Sequence, residues 1–171
     1  GSDAAKLVAQ AKQAGKDAVA LKSRYTEQEW STIRLAPMAA AGLVMAASPS
    51  KGNAAADEIA SAMAAIEATK VLSAPVSLLS VAFDAPMSQA ELDKFKTGVS
   101  QEQMVGALKN AAALIGSKDP VSLTGYRTLI MNVANATAEA AKEGGFLGMG
   151  GKQVSDAERA AIETIKSTIG A

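Results

Sequence analysis

The sequence predicts an all-α protein: a single-domain helical bundle of about six or seven helices, with helix 2 kinked near Pro37. Three observations carry this. Alanine supplies more than a fifth of the 171 residues and aromatics only 4%, a composition suited to closely packed helices because alanine has the best helix propensity. Four S/T-x-x-E/Q capping boxes open apolar stretches separated by short loops. Along most segments the apolar residues recur three or four positions apart.

The first helix spans about Asp3 to Lys22. Leu7, Ala11, Ala14, Ala18 and Leu21 form one stripe, with Lys12, Lys16 and Lys22 on the other side. A basic amphipathic helix can lie on a membrane, but an alanine face attaches weakly. Docking on the bundle or on a second subunit is the better reading, so residues 1–25 read as a docking or partly separate N-terminal helix.

Thr26 and Glu29 open the second helix, whose apolar stretch runs from Trp30 to Ala47. Pro37 removes a backbone donor inside it, so a kink or break near Arg34 is expected. Residues 48–52 are a loop. The third helix runs from a cap at Asn53 to about Ser73, with Ile59, Ala62, Met63 and Ile66 inward. Val76 to Phe83 is short, apolar and flanked by prolines, which fits strand or helix; helix is favoured because no partner strand is visible.

After a turn at Asp84–Met87, Ser88 with Glu91 opens a short helix to Lys96, ended by Gly98. Ser100 with Gln103 opens the next, with Met104, Leu108, Ala111 and Ile115 along one stripe and Gly116 closing it. Asp119-Pro120 reads as N-cap plus first-turn proline. That helix extends to about Glu143, with Leu123, Tyr126, Ile130, Val133, Thr137 and Ala141 in register. Gly144 to Gln153 is glycine-rich. Ser155 with Glu158 then starts the last helix, with Ala161, Ile165 and Ile169 inward.

Composition also bounds function. Lys+Arg and Asp+Glu are 17 each. No basic stripe is visible, so nucleic acid is not an expected partner. Cysteine and histidine are both absent, which removes disulfides, thiolate chemistry, zinc–thiolate and iron–sulfur sites, and the commonest general base and metal ligand. No metal and no cofactor is expected. The opening Gly1-Ser2-Asp3 is polar and reads as no secretory leader. The longest uncharged apolar run, Leu35 to Ala47, is short of the roughly 20 residues a membrane span needs. The expectation is a cytoplasmic protein without a membrane span.

Three patterns invite chemical readings. The glycine-rich segment suggests a phosphate loop, but Gly151-Lys152 is followed by Gln153, Phe146 stands where the first glycine belongs, and a helix rather than a strand precedes it. An anion-binding reading survives, in which free amides at Gly148, Gly150 and Gly151 and at the Ser155 helix start act beside Lys152. The competing reading is a connector whose glycines turn the chain while Phe146 and Leu147 plug the bundle end. Ser48-Pro49-Ser50-Lys51 and Lys96-Thr97-Gly98 match S-x-x-K and K-T-G of serine acyl enzymes, but S-D-N is missing and Pro49 spoils the helical turn. Arg34, between Ile33 and Leu35, could bind a carboxylate or phosphate in a cleft; more often such an arginine snorkels to water. Trp30 reads as a core anchor. Asp57-Glu58 reads as a helix N-terminus and Glu139/Glu143 as a solvated face.

The stretch Glu143 to Gly151, followed by Val154-Ser155-Asp156-Ala157-Glu158, resembles the C-terminal signature of a group of uncharacterised bacterial helical proteins. Glu29-Trp30 through Ala36-Pro37 to Ala47-Ser48-Pro49 is similar to their first core helix. The resemblance covers roughly Thr26 to Ile169. It implies a bacterial intracellular helical protein and carries no activity.

The leading functional expectation is a non-enzymatic bundle acting through protein binding or self-association. The alternative is a small-molecule or anion-binding protein using loop 144–152 and Arg34. No residue pattern names a catalytic group.

Overall fold

The computed structural model of the chain describes residues 2–48, 53–95, 98–143 and 154–171. Eight α-helices lie among them: α1 (Ser2–Ser23), α2 (Glu27–Ala47), α3 (Asn53–Val71), α4 (Leu78–Ala82), α5 (Gln89–Asp93), α6 (Gln101–Lys118), α7 (Leu123–Glu143) and α8 (Asp156–Ile169). No strand occurs among the described residues. The bundle of six or seven helices is therefore borne out, with α4 and α5 as single-turn additions to six longer helices.

All four capping boxes form: Thr26, Ser88, Ser100 and Ser155 each accept from the backbone N–H three residues on, and the acid or amide there reaches back. A fifth escaped notice because its reciprocal partner is a serine. Ser77 caps α4 and Ser80 Oγ accepts from the Ser77 N–H. That cap opens a helix over Leu78–Ala82 within the Val76–Phe83 segment, and Leu78, Leu79, Ala82 and Phe83 are buried. Asp119 supplies no side-chain cap. Pro120–Ser122 forms a 3₁₀ turn before α7, and the Asp119 carboxylate accepts from the Ser122 hydroxyl at 2.6 Å.

Helix α2 lies at the centre, packing against α3, α6, α7 and α8. Nine of its residues are buried, from Ile33 to Val44. It is the described helix long and apolar enough to cross a membrane by length and composition, and half of that stretch is buried inside the fold. Pro37 sits within it, yet the helix continues unbroken from Glu27 to Ala47. In a regular helix the N–H of residue 37 would bond the Ile33 carbonyl; proline has none to give. The Tyr126 hydroxyl, from the fully buried Tyr126 of α7, donates to that carbonyl at 2.7 Å. The orphaned acceptor is thus satisfied across the core instead of along the helix. Burial pushes the Tyr126 phenol far above its ordinary value, so it stays a donor at any working pH.

Helices α3 and α7 pack against each other, and Asn132 donates to Thr69 Oγ1 at 3.1 Å. Tyr126, Ile130, Val133 and Thr137 face inward as their spacing predicts. Glu58, read from sequence as part of a helix N-terminus, lies in the second turn of α3 and is 1% exposed.

The α1–α2 corner is tied by side chains. Trp30 Nε1 donates to the Lys22 carbonyl at 2.8 Å, Arg24 to the Lys118 carbonyl at 2.7 Å, and Lys118 Nζ to the Arg24 carbonyl at 3.0 Å and to Glu29 at 2.8 Å. Trp30 is partly buried against the core and stacks at a tilt on Tyr25, their centroids 4.8 Å apart. Beyond this corner α1 contacts little but α4. Ala14, Ala18 and Leu21 are half-buried, and residues 2–13 are exposed throughout.

Two glycines should respond oppositely to a methyl group. Gly15 is mid-helix with nothing within 4 Å of an added Cβ; Gly15→Ala should strengthen α1 by about 0.5–1 kcal/mol, seen as slower hydrogen exchange in α1. Gly170 ends α8 at φ +74, where a Cβ would lie 2.9 Å from Arg127 Nη2, the group beside the Nε that caps Ile169. Gly170→Ala should cost about 1–2 kcal/mol in urea unfolding.

Candidate functional site

Among the six residues proposed from sequence for an anion site, Gly148, Gly150, Gly151 and Lys152 lie outside the described residues, as do Phe146 and Leu147. Ser155 is engaged as the α8 cap, its hydroxyl accepting from Glu158 N–H at 3.1 Å and its own N–H bonded to Glu158 Oε1 at 3.0 Å. Lys51, Lys96 and Thr97 of the serine-enzyme patterns are likewise outside the described residues. Ser48 there closes α2, with its N–H on the Met45 carbonyl.

Arg34 is neither solvated nor open to a ligand. A guanidinium has five N–H donors, and here each has a partner within the chain. Nε and Nη2 hold the two Glu91 oxygens at 2.9 and 2.8 Å. Nη1 donates to the Ala82 and Ala85 carbonyls at 2.7 and 3.0 Å, and Nη2 also to Pro86 at 3.2 Å. The carboxylate expected from a ligand is thus supplied by α5. The same Glu91 accepts from Ser88 N–H as the reciprocal half of its capping box. Arg34 thereby fastens the α4–α5 connection to the central helix, with both side chains at most one-fifth exposed. The Arg34 guanidinium, with lesser help from Ser88 N–H, holds the Glu91 carboxyl down at about 2, against an ordinary value of 4.5.

A hollow stretch lies along another side of α2. Gln28, Ser31, Leu35, Met38, Gly42 and Met45 recur at helical spacing and line two adjoining hollows. The first, about 690 Å³, is completed by Lys94, Val99, Gln103, Met104 and Asn110 from α6 and the segment before it. The second, about 450 Å³, is completed by Ala55, Ala56 and Ile59 of α3 and by Leu92 of α5. Phe95 lines both. Gly42 permits the close approach here, since a Cβ would lie 2.6 Å from Met104 Sδ. The stripe was legible in principle as a 3–4 pattern, but Trp30–Ala47 reads in sequence as one apolar stretch with Leu35–Ala47 as a buried helix, which hides a lined side. The small Ala55 and Ala56 line the second hollow with Gly42, a grouping that only the packing of α3 on α2 reveals.

No group of three or more acidic side chains among the described residues could hold a metal ion. Comparison of the chain with protein-family models, curated proteins and solved structures finds no match.

Stability should fall with acid in a defined window. The depressed Glu91 value means that the ion pair contributes fully above about pH 4.5 and that its contribution is lost as pH falls toward 2. Glu91→Gln should flatten urea-unfolding stability across that window. Arg34→Lys, which cannot make the fork or reach the carbonyls together, should cost about 1–3 kcal/mol at neutral pH.

Proposed function

We propose that this protein acts by binding another polypeptide helix through α1, with a second copy of the same chain as the first partner. The observation that carries this is the split fate of one stripe. Ala4, Leu7, Ala11, Ala14, Ala18 and Leu21 follow alternating spacings of three and four, the period of a coiled-coil seam. Its second half rests on the domain, while Leu7 remains 66% exposed and Val8 beside it 54%. Alanines in such a seam let two helix backbones approach closely. The tied α1–α2 corner holds the arm in one direction, which lowers the ordering cost of association.

Sedimentation equilibrium tests the reading. The chain should self-associate, and Leu7→Glu should weaken association about tenfold or more, from the roughly 1.5–3 kcal/mol that burying a leucine contributes. A wild-type chain that stays monomeric at every concentration would contradict it. Association that survives Leu7→Glu and Val8→Glu together would move the interface away from α1.

A second reading, small-molecule binding, is supported by the paired hollows along α2.

A further inference from the structure

The two hollows share one floor and differ in chemistry. From Gln28 to Met45 the α2 stripe runs about 25 Å, at 1.5 Å per residue. Its first half is rimmed by hydrogen-bonding side chains (Gln28, Ser31, Gln103, Asn110) and, among the described residues, by a single charge, the exposed Lys94. Its second half is walled by Met38, Met45, Ile59 and Leu92 and by the small Ala55 and Ala56, with Gln89 its one polar residue. Among the described residues nothing charged lines that half. A packed core leaves few voids larger than a water molecule. Here about 450 Å³ is left beside α2, lined in part by the small Ala41, Gly42, Ala55 and Ala56. That volume falls in the roughly 300–1,000 Å³ typical of small-molecule sites. Methionine walls adapt to irregular apolar shapes, and Phe95 lines both halves.

We propose that this cleft binds a single-chain amphiphile with an anionic head: the hydrocarbon tail in the α2–α3–α5 hollow, the chain passing Phe95, and the head beside Lys94, Gln28 and Asn110. The polarity gradient along α2 selects an amphiphile over a uniformly apolar or uniformly polar ligand. The one charged lining residue being a cation selects the sign of the head. The tail half has room for one chain, so the ligand is a free single-chain molecule and not a bilayer.

Calorimetric titration of the whole chain with decanoate, at concentrations below micelle formation, tests this. Saturable one-to-one binding is expected, tightening about fourfold for each methylene added from octanoate to decanoate. Decyltrimethylammonium should bind more weakly than decanoate, and Lys94→Gln should erase about two- to fivefold of that preference. Ala56→Trp, at an exposed position of the tail hollow, should abolish binding; Ala60→Trp, one turn along α3 and outside the lining, should leave it intact, with circular dichroism showing both folded. The proposal is overturned by absence of saturable decanoate binding, by binding indifferent to Ala56→Trp, by equal affinity for the cationic analogue, or by binding of phosphatidylglycerol vesicles in place of decanoate.

Discussion

The fold turns on one hydrogen bond that a proline makes necessary. Pro37 stands in the helix that every longer helix of the domain except α1 packs against, and it leaves the Ile33 carbonyl without its intrahelical donor in the driest part of the core. An unpaired buried acceptor costs roughly 1–3 kcal/mol. The Tyr126 hydroxyl removes that cost and fixes α7 to α2 at one height. Tyr126 has no exposed surface, so its own hydroxyl also needs a buried partner, and each group solves the other's problem. A proline that would break an isolated helix becomes the register mark between two packed ones.

The next residue repeats the logic at the edge of the core. Arg34 gathers one carboxylate and three backbone carbonyls from the α4–α5 segment, pieces too short to hold a helix by their own hydrogen bonds. Two consecutive positions of α2 therefore face different tasks: Ile33 offers its carbonyl to α7, and Arg34 offers its donors to α4 and α5. With both sides held, the stripe from Gln28 to Met45 lies between α6, α5 and the start of α3, where small residues line part of the hollow.

What the sequence made legible was local, and what it concealed was the partner in space. Capping boxes need only residues three apart, so Thr26, Ser88, Ser100 and Ser155 could be read directly; Ser77 was missed because Ser80 does the work of a Glu or Gln. The proline reads in sequence as a lost donor that kinks or breaks the helix; the helix is not broken, and the replacement donor is 89 positions further along the chain at Tyr126. Arg34 reads in sequence either as a binder of a ligand's carboxylate or phosphate or, more commonly, as an arginine snorkelling to water; neither reading finds its intramolecular partner, because Glu91 is already assigned to a cap and nothing in a linear pattern gives one side chain two roles. Glu58 reads as part of a helix N-terminus, and its burial is set by packing that no linear pattern displays. The α1 stripe is continuous in sequence; that only its second half is used follows from where α4 ends.

The claim that Tyr126 replaces the proline's missing donor is tested most directly by a double-mutant cycle in urea unfolding, pairing Tyr126→Phe with Pro37→Ala. Alanine at 37 restores an N–H that can bond the Ile33 carbonyl. The account predicts that Tyr126→Phe costs about 1–3 kcal/mol in the proline background and at least about 0.5–1 kcal/mol less when alanine stands at 37, a coupling of the size expected for groups sharing one acceptor. Equal costs in both backgrounds would contradict it.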